Sequence, residues 1–256
     1  IDNLFKSGRK YFTDDEYNNL YPLFRLLFLL QSTAMNLVDR FHIPVLEQIA
    51  IRNPQATRLG QRLIESSIIL IDELGFEQLT FKKLAQAAAT TEASVYRYFS
   101  SKQKLLLYLV NWYWGRVECR LLLEAQAGDP KQRLETALSI ISNPNAADLS
   151  TANERRLQRI VIHEAPKVLL TKAVDNDHQT GYHQTYADVV SFLANLINAY
   201  QPTCHFAEML ATTVLEGSLQ QRFFAQHLPE VTNCSEQEDA VYVFYKELLF
   251  KYLDHE

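Results

Sequence analysis

From Leu59 to Leu107 the chain is a succession of helix-forming runs punctuated by caps. Leu59, Leu63, Leu70, Ile71 and Leu74 lie near one helical face, and Gly75 is a natural stop behind them. Thr80 caps a helix to about Ala88, and Thr91 caps the next, through Tyr98. Ser100-Ser101-Lys102-Gln103 is a capping box that opens a longer helix reaching Ala127. At the centre is Thr91-Glu92-Ala93-Ser94-Val95-Tyr96-Arg97-Tyr98-Phe99, short and rich in hydroxyls and aromatics. A helix of this kind, held against a second one, fits the major groove of DNA.

Such docking needs a bracing helix, a presenting helix and flanking groups that clamp phosphates. Phe81, Leu84, Ala85 and Ala88 form the inward stripe of the first helix, while Val95 and Phe99, four apart, face inward from the second. Glu92, Ala93, Ser94, Tyr96 and Arg97 are left facing outward. Thr91, Ser94, Tyr96 and Arg97 are expected to meet the groove, with Arg97 reading a guanine edge. Glu92 either accepts from cytosine or only repels a misplaced phosphate. Thr80, Tyr98 and Lys102 sit at helix ends, where hydroxyls, backbone N–H groups and an ammonium reach phosphate oxygens.

The charge pattern agrees. The chain carries a net −5, which alone argues against nucleic acid. Residues 51–116 hold nine Lys/Arg against five Asp/Glu, a net +4, which leaves −9 for the remainder. A basic module on an acidic body confines DNA affinity to one surface. With 47% hydrophobic residues, only 7 glycines and 8 prolines, and no sustained β-alternation, the 256 residues read as all-α. Cys119, Cys204 and Cys234 are odd in number and widely spaced, which implies no disulfide framework, no zinc site and a reducing cytoplasm.

Leu79-Thr80-Phe81-Lys82-Lys83-Leu84-Ala85 and Thr91…Ser94-Val95-Tyr96-Arg97-Tyr98-Phe99-Ser100-Ser101-Lys102…Leu105-Leu106 resemble the DNA-binding domain of TetR/AcrR-family transcriptional regulators. The likeness covers about Thr57 to Leu107, under a quarter of the chain, and rests on four helices, their caps and the aromatic run agreeing in order and spacing. Two positions depart from the family pattern. Ala89-Thr90 stands where Gly-Val is common in the turn, which implies a different turn or a strained Ala at a position suited to positive φ. Ala93 replaces a glycine in the presenting helix.

The resemblance implies a homodimer on a near-palindromic operator, usually a repressor, with a C-terminal helical body whose pocket binds a small molecule and releases DNA. It places the dimer interface on segments 204–227 and 235–253. Val241, Phe244, Leu248 and Tyr252 form an apolar stripe there, and a terminal helix with such a stripe needs a partner. Tyr108, Trp112, Tyr113 and Trp114 read first as core, and the resemblance moves Tyr108, Trp112 and Tyr113 towards a pocket wall. The organisation expected is an N-terminal helical extension over 1–53, a helix-turn-helix domain over 54–107 and an effector-binding and dimerisation bundle over 108–256.

The extension opens a helix at Thr13-Asp14-Asp15-Glu16 and carries the apolar run 23–30, shorter than the ~20 residues needed to span a membrane. Lys6, Arg9 and Lys10 precede that run, but Asp14, Asp15 and Glu16 argue against a signal peptide. A start at Met35 is a further reading of this segment. Farther on, helices are expected from Pro130 to about Ile141, from Thr151 to about Ala165, at Pro166, and after Gly181 to Tyr200, with a loop at Asn143-Pro144-Asn145. A capping box, Ser235…Glu238, opens the last helix. His163, His178 and His183 miss metal-ligand spacing and read as solvated or hydrogen-bonded groups; Ser191 and Ser218 lack a nucleophile elbow. Catalysis, a cofactor and a metal are therefore not expected. The competing readings are an effector-independent architectural DNA-binding protein, and a helical enzyme or small-molecule or lipid binder with a vestigial helix-turn-helix.

Overall fold

The computed structural model describes residues 49–142, 152–169, 184–234 and 239–255. Residues 1–48 of the expected N-terminal extension, the 143–145 loop, Thr151, His178, His183, Gly181 and the Ser235…Glu238 box lie outside these residues. Every regular element described is helical: α1 (Arg58–Leu74), α2 (Phe81–Ala87), α3 (Glu92–Tyr96), α4 (Lys102–Glu124), α5 (Pro130–Ser142), α6 (Ala152–Glu164), α7 (Pro166–Leu169), α8 (Gln184–Tyr200), α9 (Ala207–His227) and α10 (Ala240–Leu253), with short 3-10 turns between some of them. The chain is all-α in these residues, a helix-turn-helix head followed by a helical body.

The caps explain where the helices begin. Thr57, Thr80, Thr91 and Ser101 each accept a backbone N–H from Gly60, Lys83, Ser94 and Lys104 respectively. At α5, Asp129 Oδ1 accepts the Gln132 N–H at 2.9 Å and Gln132 Oε1 accepts the Asp129 N–H at 3.0 Å, a reciprocal box with Pro130 in the first turn. Helix α1 ends at Gly75, which takes φ 78° and donates its N–H to the Ile71 carbonyl. Three helices are shorter than expected. Helix α3 stops at Tyr96 with Arg97 as its C-cap, α4 stops at Glu124, and α9 begins at Ala207 rather than at Cys204.

The turn between α2 and α3 shows what the missing glycine does. Thr90 donates its N–H to the Ala85 carbonyl at 2.9 Å and Ala89 to that of Gln86 at 3.2 Å. This pair of bonds is a Schellman closure, whose hinge residue must be left-handed. Ala89 occupies that position with φ 49°, the one positive-φ residue other than glycine among those described. The usual glycine has been replaced without changing the turn, so its strain remains in the head.

Packing follows from α4. Thirteen of its 23 residues are buried, on all sides of the helix, because its first turns lie in the head and the rest in the body. In the body, α8 packs against α4, α5 and α9, and α10 packs on α5 and α9. Helix α6 lies along α1 and so touches the head directly. Gly217, in the middle of α9, lets that helix approach α10: a Cβ there would collide with the Tyr245 phenol. On α10, Val241, Tyr245, Leu249 and Leu253 point inward. Val241 is 5% exposed and belongs to this inner face, which corrects its expected place in the outer stripe, whereas Phe244, Leu248 and Tyr252 are 53%, 48% and 37% exposed.

Ala89→Gly should relieve the left-handed strain, which outweighs the entropy that glycine adds to the unfolded chain. A gain of about 0.5–1 kcal/mol is expected, seen as a higher denaturant midpoint at unchanged slope.

Candidate nucleic-acid interface

Two side chains fix α3. Val95 and Phe99 are fully buried, and the Phe99 ring meets Tyr108 edge to face at 5.4 Å, which seats the end of the short helix on α4. With that face anchored, Thr91, Glu92, Ala93, Tyr96 and Arg97 are exposed and Ser94 is half-buried. Thr91 Oγ1 lies 3.0 Å from Ser94 Oγ as well as capping the helix, so the two hydroxyls form one small polar unit. Tyr96 packs its ring edge-on against Phe81 at 4.9 Å and leaves its outer half in solvent. Arg97 makes no hydrogen bond or ion pair with its side chain among the described residues, and its guanidinium projects from the helix end. Glu92 lies in the first turn, where the helix dipole favours a carboxylate.

The three expected phosphate clamps are placed differently from one another. Thr80 is exposed at the start of α2. Tyr98 is 3% exposed and turned inward, its hydroxyl 2.7 Å from Thr57 Oγ1, so it ties α1 to the end of α3. Lys102 donates to the carbonyls of Phe76 and Glu77 at 3.3 and 3.1 Å and lies 4.7 Å from the Phe76 ring centre. Its ammonium is engaged in closing the head, not held out to solvent.

Residues outside the motif complete the surface. Ile49 and Ala50 are buried in the head, and Ile51 donates its N–H to the Tyr98 carbonyl at 2.9 Å. This carries Arg52 to 5.7 Å from the Tyr98 ring centre, beside α3. The expected boundary at residues 53 and 54 runs through this contact. Arg62 donates to the Ala88 carbonyl at 3.4 Å and so braces the turn, and Lys82 stands exposed next to Thr80. Only the basic excess of the segment pointed to these groups.

The head is joined to the body by ionic and hydrogen bonds. Asp72 on α1 receives two bonds from Arg159 at 2.8 and 2.7 Å, and Arg156 approaches at 3.3 Å. Glu164, at the end of α6, accepts the Phe76 N–H at 3.1 Å, and Lys167 bridges Glu164 and Glu77 at 2.6 and 3.4 Å.

In the body, the aromatic cluster divides. Tyr108 is fully enclosed against Phe99, and burial raises its pKa well above the usual phenol range. It is a core residue at the junction, which corrects its expected place on a pocket wall. Trp112 lies under the Arg116 guanidinium at 5.6 Å. Tyr113 is buried beside Gln158 and Arg222, and burial pushes its pKa up to about 12 against the favourable field of the arginines. Trp114 stacks edge-on with Tyr113 and Tyr186 and borders a cavity of about 80 Å³.

An exposed, rigidly seated α3 and a separate helical body define a helix-turn-helix DNA-binding protein. Residues 63–109 match the model of the bacterial regulatory proteins of the tetR family, so this segment is a DNA-binding head of the tetR type. Solved structures share the fold. The fatty acid degradation regulator FadR from Bacillus halodurans superposes with a TM-score of 0.56 at 17% identity, over 74% of this chain and 93% of that one. FadR from Bacillus subtilis in complex with stearoyl-CoA gives 0.55 at 16%, over 74% and 96%. AibR in complex with isovaleryl coenzyme A and operator DNA gives 0.52 at 16%, over 75% and 96%. No curated protein matches the chain in sequence. No helix among the described residues is long and apolar enough to cross a membrane.

His163, at the end of α6, meets His227, at the end of α9, with their Nε2 atoms 3.1 Å apart, one ring donating and the other accepting. Burial lowers the His163 pKa, aided by His227 and Arg159 and opposed by Glu164 and Asp72. A lowered folded pKa favours the neutral ring, so its contribution is present above the unfolded value of about 6.5 and is lost as pH falls through the folded value. Denaturant stability should therefore fall below pH ~6.5, and His163→Gln should flatten that slope.

Proposed function

We propose that the protein is a ligand-responsive transcriptional repressor that binds a near-palindromic operator as a homodimer. The observation that carries the reading is the outward face of α3, where Thr91, Ser94, Tyr96 and Arg97 are presented by a helix whose other face is fully buried. Rigid seating matters because base readout depends on placing donors within hydrogen-bond reach without an ordering cost. Arg97 supplies the bidentate fork for a guanine edge, and Thr91 with Ser94 supplies hydroxyls. Thr80 flanks them as the phosphate contact expected from sequence, joined by Arg52 and Lys82, while Tyr98 and Lys102 are engaged within the head.

The dimer reading is supported by Phe244, Leu248 and Tyr252, which form an exposed apolar line along α10. Exposed large apolar groups in line on one helix mark an association surface. The effector reading is supported by the fold neighbours described with stearoyl-CoA and with isovaleryl coenzyme A, and by the polar groups gathered around Tyr113. Coupling between body and DNA would run through α6, whose Arg159 and Glu164 hold Asp72 and the Phe76 N–H of the head. An effector that prefers one position of α6 would tilt the two heads of a dimer and change operator affinity by that preference and no more.

Selection of bound duplexes from a random pool at fixed salt tests the reading. A recovered palindrome of two half-sites supports it; binding without a motif that vanishes with salt overturns it. With the selected operator, Arg97→Ala should lose roughly 1–3 kcal/mol of discrimination at one base pair per half-site, whereas Lys82→Ala should weaken all sequences alike and lower the salt slope. Leu248→Glu should convert the dimer to monomer in sedimentation analysis and weaken operator binding with α3 intact.

A further inference from the structure

We propose that His163 and His227 together hold a divalent transition-metal ion of the zinc, nickel and copper class, which ties the end of α6 to the end of α9. The site goes beyond the proposed function and needs neither DNA nor an effector.

The two residues are 64 apart in sequence, beyond the reach of any spacing motif. Each closes a helix: His163 lies in the last turn of α6, and His227 is the last residue of α9. The packing of α6 against α9 brings these ends together. Their Nε2 atoms stand 3.1 Å apart. Two nitrogens each about 2.0–2.1 Å from one ion, in tetrahedral or octahedral order, are about 2.9–3.4 Å from one another. The ring centres are 4.7 Å apart, closer than two rings meeting end to end across the same gap, with 66° between the planes. The nitrogens are therefore not aimed straight at each other. Such a tilt suits a shared ion better than a straight N–H···N bond.

Phe223 holds both rings in this arrangement. It lies one turn before His227 on α9, its ring 4.8 Å from that of His227 and edge-on to His163 at 5.5 Å. Ligands already locked by packing bind without an ordering cost. The electrostatics also favour a cation. Both helices direct the negative ends of their dipoles at this place. Arg159, one turn before His163, has its charge matched by Asp72 through bonds of 2.8 and 2.7 Å. His227 is exposed, so a hydrated ion reaches the pair from solvent. Imidazole nitrogen suits zinc, nickel and copper, whereas magnesium takes oxygen. Ligation needs no net loss of a proton. The ring that donates in the His163–His227 bond carries its proton on Nδ1 instead, and both Nε2 lone pairs meet the ion. Among the described residues no group of three or more His, Cys, Asp and Glu side chains could hold an ion; the pair suffices, with water in the remaining positions. Glu164, the next residue after His163, accepts the Phe76 N–H at 3.1 Å, so the ion sits beside the point where α6 grips the head.

The test uses the full chain, cleared of metal with EDTA and titrated with zinc, nickel and magnesium chlorides. Thermal melting and competition with a chromophoric chelator are the readouts. Zinc and nickel should raise the melting temperature and magnesium should not, because an ion that binds only the folded chain stabilises it. The chain has seven histidines, so variants assign the site. His163→Gln and His227→Gln should each abolish the rise and weaken zinc by at least ~10-fold, since even losing a partner that orients a ligand costs that much. His255→Gln, at an exposed histidine beyond α10, should bind as the parent does. The metal-free melting curve of each variant checks that it folds. Long-range proton–nitrogen correlation of the imidazoles reads the ligands in the parent chain itself. Two rings should show Nε2 ligated and Nδ1 protonated on addition of zinc. No rise with zinc or nickel, a rise that survives either His163→Gln or His227→Gln, or imidazole signals unmoved by zinc overturns the inference.

Discussion

Helix α4 belongs to both the head and the body, whose buried side chains form one continuous hydrophobic core through it, and the arrangement of the other described elements depends on it. Its first turns bury Leu105, Leu106 and Tyr108 in the head, where Tyr108 receives Phe99 from the end of α3. Its middle carries Tyr113 and Trp114 into the body. Close-packed interiors do not deform smoothly, so a shift of the body end of this helix is transmitted as a rigid displacement rather than absorbed. The all-round burial that makes α4 weakly amphipathic is the physical trace of this double membership.

A second path runs beside it, built from charge. Glu164 and Asp72 present carboxylates at the junction, and each is held by partners from the other side: the Phe76 N–H of the head for Glu164, Arg159 of the body for Asp72. These bonds are directional where the α4 contacts are not, so they fix the angle of the head while packing fixes its distance. The low exposure of the Asp72 and Glu164 side chains, 12% and 11%, makes breaking them more consequential than for a surface ion pair, because a stranded carboxylate is left behind.

Much of this fold was legible from sequence because caps are local. Thr57, Thr80, Thr91 and Ser101 act within four residues of themselves, and the spacing of Val95 and Phe99 sets the buried face of α3 without reference to the rest of the chain. Ala89 was legible for the same reason, as a non-glycine at a turn that needs positive φ. What was not legible depends on partners distant in sequence. Tyr98 turns inward because Thr57, 41 residues earlier, offers a hydroxyl, and Lys102 is engaged by carbonyls 25 and 26 residues away. Val241 shares an apolar repeat with Phe244 and Leu248, and only the position of α9 decides which of them faces inward.

Gly217 constrains more than its own contact. The Tyr245 ring occupies the space a side chain at this position would take, so α9 and α10 cross with no slack between them. The outer line of Phe244, Leu248 and Tyr252 rides on that same α10. In a two-fold assembly built on this line, the crossing acts as a gauge block. It sets how far apart two copies of α3 stand, and hence the helical phase at which they could meet a duplex, from a contact between a phenol and a hydrogen atom that touches neither DNA nor effector.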